Sequence, residues 1–174
     1  MQLRLLRKSV WATVPIPSCN QHSSGGVDGV VIAGGPGEPK DYSGYMEGIK
    51  EIAGSGLPVL GLGLGHLLLA MAKGAELISM PYGHRGVNQP VKDMESGRTL
   101  ITSQNHGYEV EKGSVTPSVG TITHVSANDG SVEGIRYQDG KSCSYAFYPA
   151  SSSGPDDTGY LYTAFISKLK GEVR

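Results

Sequence analysis

The chain has 174 residues, enough for one domain with a real core and too few for two large ones. Lys and Arg total 15 against 16 Asp and Glu, and a formal net charge of -1 excludes the strong positive field of a nucleic-acid binder. The longest apolar region, Leu57 to Ala70, is interrupted by glycines and His66 and makes a poor membrane span, and no secretory signal pattern opens the chain. A cytoplasmic protein without nucleic-acid or membrane partners is the expectation.

Leu3, Leu6 and Val10 have helical spacing, and Ala12 to Ile16 predicts a short strand closed by Pro15 and Pro17. Ser18 to Gly26 is a polar loop. Gly29 to Ala33 is a continuous apolar strand running into Gly34-Gly35-Pro36-Gly37-Glu38-Pro39, a loop of backbone amides with few bulky side chains. Tyr45 to Ala53 can form a helix, and Leu57 to Leu60 is the next strand. Strands alternating with helices in units of about thirty residues indicate an α/β fold with a mostly parallel sheet and helices on both faces.

After Leu60 comes Gly61-Leu62-Gly63-Leu64-Gly65-His66, then an apolar helix with Leu67, Leu68, Leu69 and Met71. A glycine-rich turn from a buried strand into a helix is the form of a nucleophile elbow, which presents a reactive side chain beside backbone N–H groups at the helix N-terminus. Its tip here is Gly63, which carries no reactive side chain.

The second half changes character. Leu77 to Tyr82, Gly86 to Pro90, Thr99 to Thr102, Tyr108 to Val110, Ile122 to Ser126, Gly134 to Tyr137 and Cys143 to Phe147 are short extended candidates. Turn signals such as Asn128-Asp129-Gly130 and Gln138-Asp139-Gly140 separate them, which predicts a smaller antiparallel section. Pro155 to Thr158 opens a last helix with Leu161, Phe165 and Leu169 on one stripe, Lys168 and Lys170 in its final turn and Gly171 as a stop.

Cys19 and Cys143 have neither metal-ligand spacing nor the density of a disulfide framework. The histidines at 22, 66, 84, 106 and 124 are scattered, with no HExxH motif, so no metal is expected.

Together the elbow, the Gly34 to Pro39 loop, the Ser103-Gln104-Asn105-His106-Gly107 segment and the Ser153-Gly154-Pro155 exit resemble a known family. The chain looks like the class I glutamine amidotransferase domain of the carbamoyl phosphate synthetase small subunit, from about Leu3 to Leu169. The string Gly83 to Asp93, GHRGVNQPVKD, is more specific to that subunit than to amidotransferases in general. The resemblance implies a flavodoxin-like sheet, a single domain over residues 1–174, no cofactor, and, for partners, L-glutamine and a synthetase large subunit. The family domain opens with a central strand before the helix matching Leu3 to Val10, and its subunit has a further domain before that; the resemblance includes neither.

In that family a cysteine at the elbow attacks the glutamine carboxamide, a histidine activates it and protonates the leaving ammonia, and a glutamate orients the histidine. The elbow motif Gly-x-Cys-x-Gly-His-Gln places the cysteine on Gly63 and the glutamine on Leu67. The His-Pro-Glu motif places the other two catalytic residues on Tyr148 and Ala150. All three catalytic side chains are replaced. By resemblance Gly35 and Gly37 line the oxyanion and substrate loop, Leu64 offers a backbone N–H, and Asn105, Gly107 and Tyr108 contact the glutamine backbone groups, with Leu67 beside them. Tight turns use glycine and asparagine anyway, so these residues are equally consistent with turn formation alone.

Three functions follow for comparison. The first is a pseudo-amidotransferase that binds a ligand or partner without hydrolysing glutamine. The second is an active amidotransferase that supplies ammonia for carbamoyl phosphate synthesis through other residues; its difficulty is the missing thiol, because Cys143 and Tyr148, five positions apart on an extended strand, point to opposite faces. The third is a nucleotide-binding module using Gly61, Gly63 and Gly65, which lacks the third glycine of a dinucleotide fingerprint.

Overall fold

Val30–Ile32 (β1), Val59–Leu62 (β2) and Cys143–Tyr145 (β7) pair side by side in parallel, with Val31 opposite Leu60 and Gly61 opposite Ser144. These short apolar runs are covered on both faces, as parallel strands require. The computed structural model describes residues 27–149 and 157–169. The expected helix at Leu3 to Val10, the strand at Ala12 to Ile16, the loop at Ser18 to Gly26, and Ala150 with the Ser153 to Pro155 exit lie outside them.

A 3-10 helix (Pro39–Tyr45) precedes α1 (Met46–Gly54), where the sequence predicts only a helix from Tyr45. Helix α2 (Leu64–Ala72) follows the elbow. The four short candidates at Leu77 to Tyr82, Gly86 to Pro90, Thr99 to Thr102 and Tyr108 to Val110 are corrected to two long strands, β3 (Leu77–Asp93) and β4 (Thr99–Val110). Register shifts between Ser79 and His84, and between Gly86 and Gln89, absorb the glycines and Pro81 that make β3 look interrupted. Strands β5 (Gly120–Ser126) and β6 (Val132–Tyr137) complete the antiparallel part.

Among the described residues the sheet runs β1-β2-β7-β6-β4-β3-β5, and β5 also pairs with β6. The antiparallel strands β6, β4, β3 and β5 therefore close on one another. This section exceeds the smaller one expected, because β3 and β4 are continuous. The parallel strands remain the part that carries the elbow.

Two cores flank the sheet. Ile49 and Ala53 of α1 pack with Leu64, Leu67, Leu68 and Leu69 of α2, Val59 of β2 and Ile135 of β6. On the other face α3 (Tyr160–Leu169) sets Leu161, Tyr162 and Phe165 against Leu60, Leu62, Cys143, Tyr145 and Phe147. The predicted stripe of Leu161, Phe165 and Leu169 is thus the packed face of α3.

Candidate functional site

The elbow forms because three glycines meet three separate close approaches. A Cβ on Gly61 would lie 2.6 Å from the Gly65 carbonyl oxygen, and one on Gly65 would lie 2.0 Å from that of Ile32. Helix α2 can start against the end of β1 only if position 65 has no side chain. Gly63 has φ 54° and ψ -118°. That is a strained conformation for any residue with a Cβ. Its N–H donates to the Tyr145 carbonyl at 2.9 Å, and its own carbonyl accepts from the His66 N–H at 3.0 Å, the first turn of α2.

Tyr148 lies directly in front of this tip. A Cβ on Gly63 would sit 2.7 Å from the Tyr148 hydroxyl oxygen, and a Cβ on Gly34 would sit 2.6 Å from Tyr148 Cε1. The Tyr148 N–H donates to the Ser103 carbonyl at 3.0 Å, tying this segment to β4. Burial pushes the phenol up from its ordinary pKa, so the hydroxyl stays protonated near neutral pH. The structure therefore brings Gly63, Gly34 and Tyr148 into one contact.

Of the other expected site residues, Gly35 faces Leu64, with an ideal Cβ 3.9 Å from Leu64 Cδ2 and 3.3 Å from the Tyr42 hydroxyl. Gly37 has φ 91°, within a loop fastened by Tyr42 Oη donating to the Pro36 carbonyl at 2.7 Å. Tyr108 of β4 donates through its hydroxyl to Glu38 Oε2 at 2.9 Å, which links this loop to β4. Asn105 is exposed and Gly107 partly buried on the same strand. Leu67 belongs to the hydrophobic core and is 3% exposed, so its side chain offers no polar contact.

His66 is wholly buried, its Nδ1 is 2.7 Å from Ser144 Oγ, and Ser144 Oγ is 2.8 Å from Tyr137 Oη. Burial, with the nearby His106, pushes the His66 imidazole down to about 3, so it is neutral. Cys143 is buried against Leu60 and Phe165 on the α3 face, and burial pushes its thiol up. It has neither the orientation nor the thiolate of a nucleophile at the elbow.

Sequence spacing gave no sign of one group. His84, His106 and Glu133, far apart along the chain, place one potential ligand atom each within 4.8 Å of one another. Glu133 and Asp129 hold His84 up at about 9 against an opposing burial effect, while burial holds His106 down at about 4. A hairpin folded at the turn before Arg98 sets His84 opposite His106, which is the signal that could have joined them.

A strand, a glycine elbow and a helix on an α/β sheet define the class. The chain belongs to the glutamine amidotransferase class-I family, whose model matches residues 2–168. Among curated relatives, the carbamoyl phosphate synthase small chain of Bacillus cereus (strain ATCC 10987 / NRS 248) is 43% identical over 143 residues, covering 82% of this chain and 39% of that protein. The small chain of Listeria monocytogenes serovar 1/2a is 41% identical over 145 residues, covering 83% and 40%. The chain thus spans about two fifths of the length of these relatives. A solved Thermoplasma acidophilum protein described as a GMP synthase subunit matches with a TM-score of 0.83 at 21% identity, covering 98% of this chain and 87% of that one. A Thermotoga maritima glutamine amidotransferase matches at 0.57 and 20% identity, covering 82% and 64%. These two solved structures bear on the fold alone.

Proposed function

We propose that this chain is a pseudo-amidotransferase: a domain resembling the glutamine-hydrolysing part of a carbamoyl phosphate synthetase small subunit that retains the elbow and loops but does not hydrolyse glutamine. Its role is to bind a ligand of the glutamine type or to dock on a synthetase large subunit. The observation that carries this reading is the Tyr148 ring against Gly63. The family motif puts the nucleophile on residue 63 and the base on residue 148; here one side chain is absent and the other fills the space before it. With Ala150 at the glutamate position, none of the three family positions carries a nucleophile, base or orienting carboxylate for acyl transfer.

The reading in which other residues perform the hydrolysis has little support. Cys143 faces the α3 core, His66 is held neutral with its Nδ1 on Ser144, and Tyr148 remains a phenol. No helix among the described residues is long and apolar enough to cross a membrane.

A glutaminase assay tests the proposal. The purified chain, alone and mixed with a synthetase large subunit, should release no ammonia from glutamine above the blank. Ammonia release that follows the folded chain overturns it. Calorimetric titration with glutamine separates the two roles: binding supports the ligand pocket, and none at millimolar glutamine assigns the retained loops to docking.

A further inference from the structure

Strands β3, β4 and β6 bring three side chains to a point that the elbow does not use. His84 and His106 face each other in the β3–β4 register, their rings edge to face with centroids 5.1 Å apart. Glu133 of β6 reaches between them, with Oε1 3.0 Å from His84 Nδ1 and 3.7 Å from His106 Nε2. The three residues are 8%, 9% and 0% exposed. Zinc–nitrogen and zinc–oxygen bonds of about 2.0–2.1 Å put tetrahedral ligand atoms roughly 3.3 Å apart, a value these two separations bracket.

The surroundings are arranged as those of metal-binding imidazoles are. A ligating histidine holds its other ring nitrogen on a carboxylate or a backbone carbonyl. His84 Nε2 donates to Asp129 Oδ2 at 2.8 Å, which leaves Nδ1 toward the centre. His106 Nδ1 donates to the Tyr108 carbonyl at 2.9 Å, which leaves the Nε2 lone pair toward the centre. That lone pair then faces only acceptors, Glu133 Oε1 and, at 3.1 Å, Gln104 Oε1. Glu133 Oε2 is buried without any hydrogen-bond partner. The charged His84 answers Glu133 Oε1, but the His106 Nε2 lone pair faces oxygen acceptors and Glu133 Oε2 has no donor, a costly arrangement in the interior that a divalent cation would relieve.

The geometry points to a structural site for a divalent transition metal of the zinc type, bound by His84 Nδ1, His106 Nε2 and Glu133. Two imidazoles and a carboxylate are the donors such an ion takes, and the Gln104 amide oxygen or a water supplies the fourth. Binding releases the proton that His84 Nδ1 otherwise shares with Glu133, and the charge of the metal takes over its role. Depth argues for a structural ion. It clamps β3 and β4 to β6 at the Asn105-His106-Gly107 stretch of β4. This inference does not depend on whether glutamine is bound or hydrolysed.

The test uses the full chain without an affinity tag, stripped with a chelator and dialysed against cobalt or zinc. One equivalent should bind, cobalt should give the intense visible absorption of tetrahedral coordination, and zinc but not magnesium should raise the thermal midpoint. Glu133→Gln and His106→Gln should each weaken binding at least tenfold, and Asp129→Asn, which only orients His84, by about 10–100-fold. Should a variant fail to fold, the stripped and reloaded wild-type chain still decides the matter. No stoichiometric binding, an octahedral cobalt spectrum, or affinity unchanged by both ligand substitutions overturns the site.

Discussion

Tyr148 and Gly63 fit each other: the phenol occupies the position in which any Cβ at residue 63 would fall, 2.7 Å from the hydroxyl oxygen. Two residues far apart in sequence thus form one packing contact. Gly63→Ala should destabilise the chain through the positive φ by about 1–3 kcal/mol, and through the clash by a further amount of about that size. Tyr148→Ala removes the clash, so the double variant should be more stable than the summed single effects predict, with a coupling of about 0.5–3 kcal/mol. Urea unfolding of the four chains measures it; strict additivity would mean the ring moves aside freely.

Gly65→Ala should be the most damaging of the elbow substitutions. Its Cβ would meet the Ile32 carbonyl oxygen at 2.0 Å, a backbone atom that cannot rotate away. Helix α2 must separate from β1, at a cost of about 3 kcal/mol or more, at the upper end for overpacking. A small change in the denaturation midpoint would show that the helix start can slide.

His66 should make stability depend on pH below neutrality. Its folded-state pKa, pushed down to about 3 by burial with His106 adding, lies below the unfolded value of about 6.5. The unfolded chain therefore binds a proton that the folded chain does not. Stability from this group is present above pH about 6.5 and is lost as pH falls toward 3, with a limiting slope of about 1.4 kcal/mol per pH unit. His66→Gln should be less stable at pH 7, because the Ser144 contact is altered, and flatter between pH 6 and 4. Parallel pH profiles for both chains would contradict the assignment.

Lys73 joins α2 to two other parts of the fold: its ammonium donates to the Ala53 carbonyl at 2.8 Å and to Asp139 Oδ2 at 2.7 Å. Burial opposes ionisation of Asp139, but Lys73 and the N–H groups of Lys141 and Ser142 outweigh it and hold the carboxyl down at about 2. Because Asp139 is partly exposed, solvent screens the pair, and Asp139→Ala should cost only about 1 kcal/mol at neutral pH. The stability it supplies is present above pH about 3.8 and disappears as pH falls through about 2. A Tm difference between wild type and variant that persists below pH 2 would rule out the ionic contribution.

The elbow was legible because its signal is local: an apolar strand, glycines at alternate positions and a leucine-rich helix occupy one short segment. β3 was not, since Pro81, Gly83 and Gly86 look like strand breakers until bulges absorb them, with Gly86 at φ 148°. The contact between Tyr148 and Gly34 depends on how β7 emerges beside β2, which no spacing encodes. The His84, His106 and Glu133 group arises from strand register, where a slip of one residue would turn the side chains to the other face.

Restoring Gly63→Cys, Tyr148→His and Ala150→Glu together is the most demanding test of the proposed history of this site. Cysteine alone at position 63 would collide with the Tyr148 ring, so the single variant should fold poorly and remain inactive. Histidine at 148 shortens that side chain and supplies the base, and glutamate at 150 supplies its orienting carboxylate. On the proposed reading the Leu64 N–H, next to the tip at the start of α2, would be the donor for the developing oxyanion. Trapping with a glutamine-analogue electrophile should then label residue 63 of the triple variant and leave the native chain unlabelled. A folded triple variant that resists labelling would locate the defect in Leu67, an apolar side chain 3% exposed in the core where the proposed elbow motif calls for glutamine.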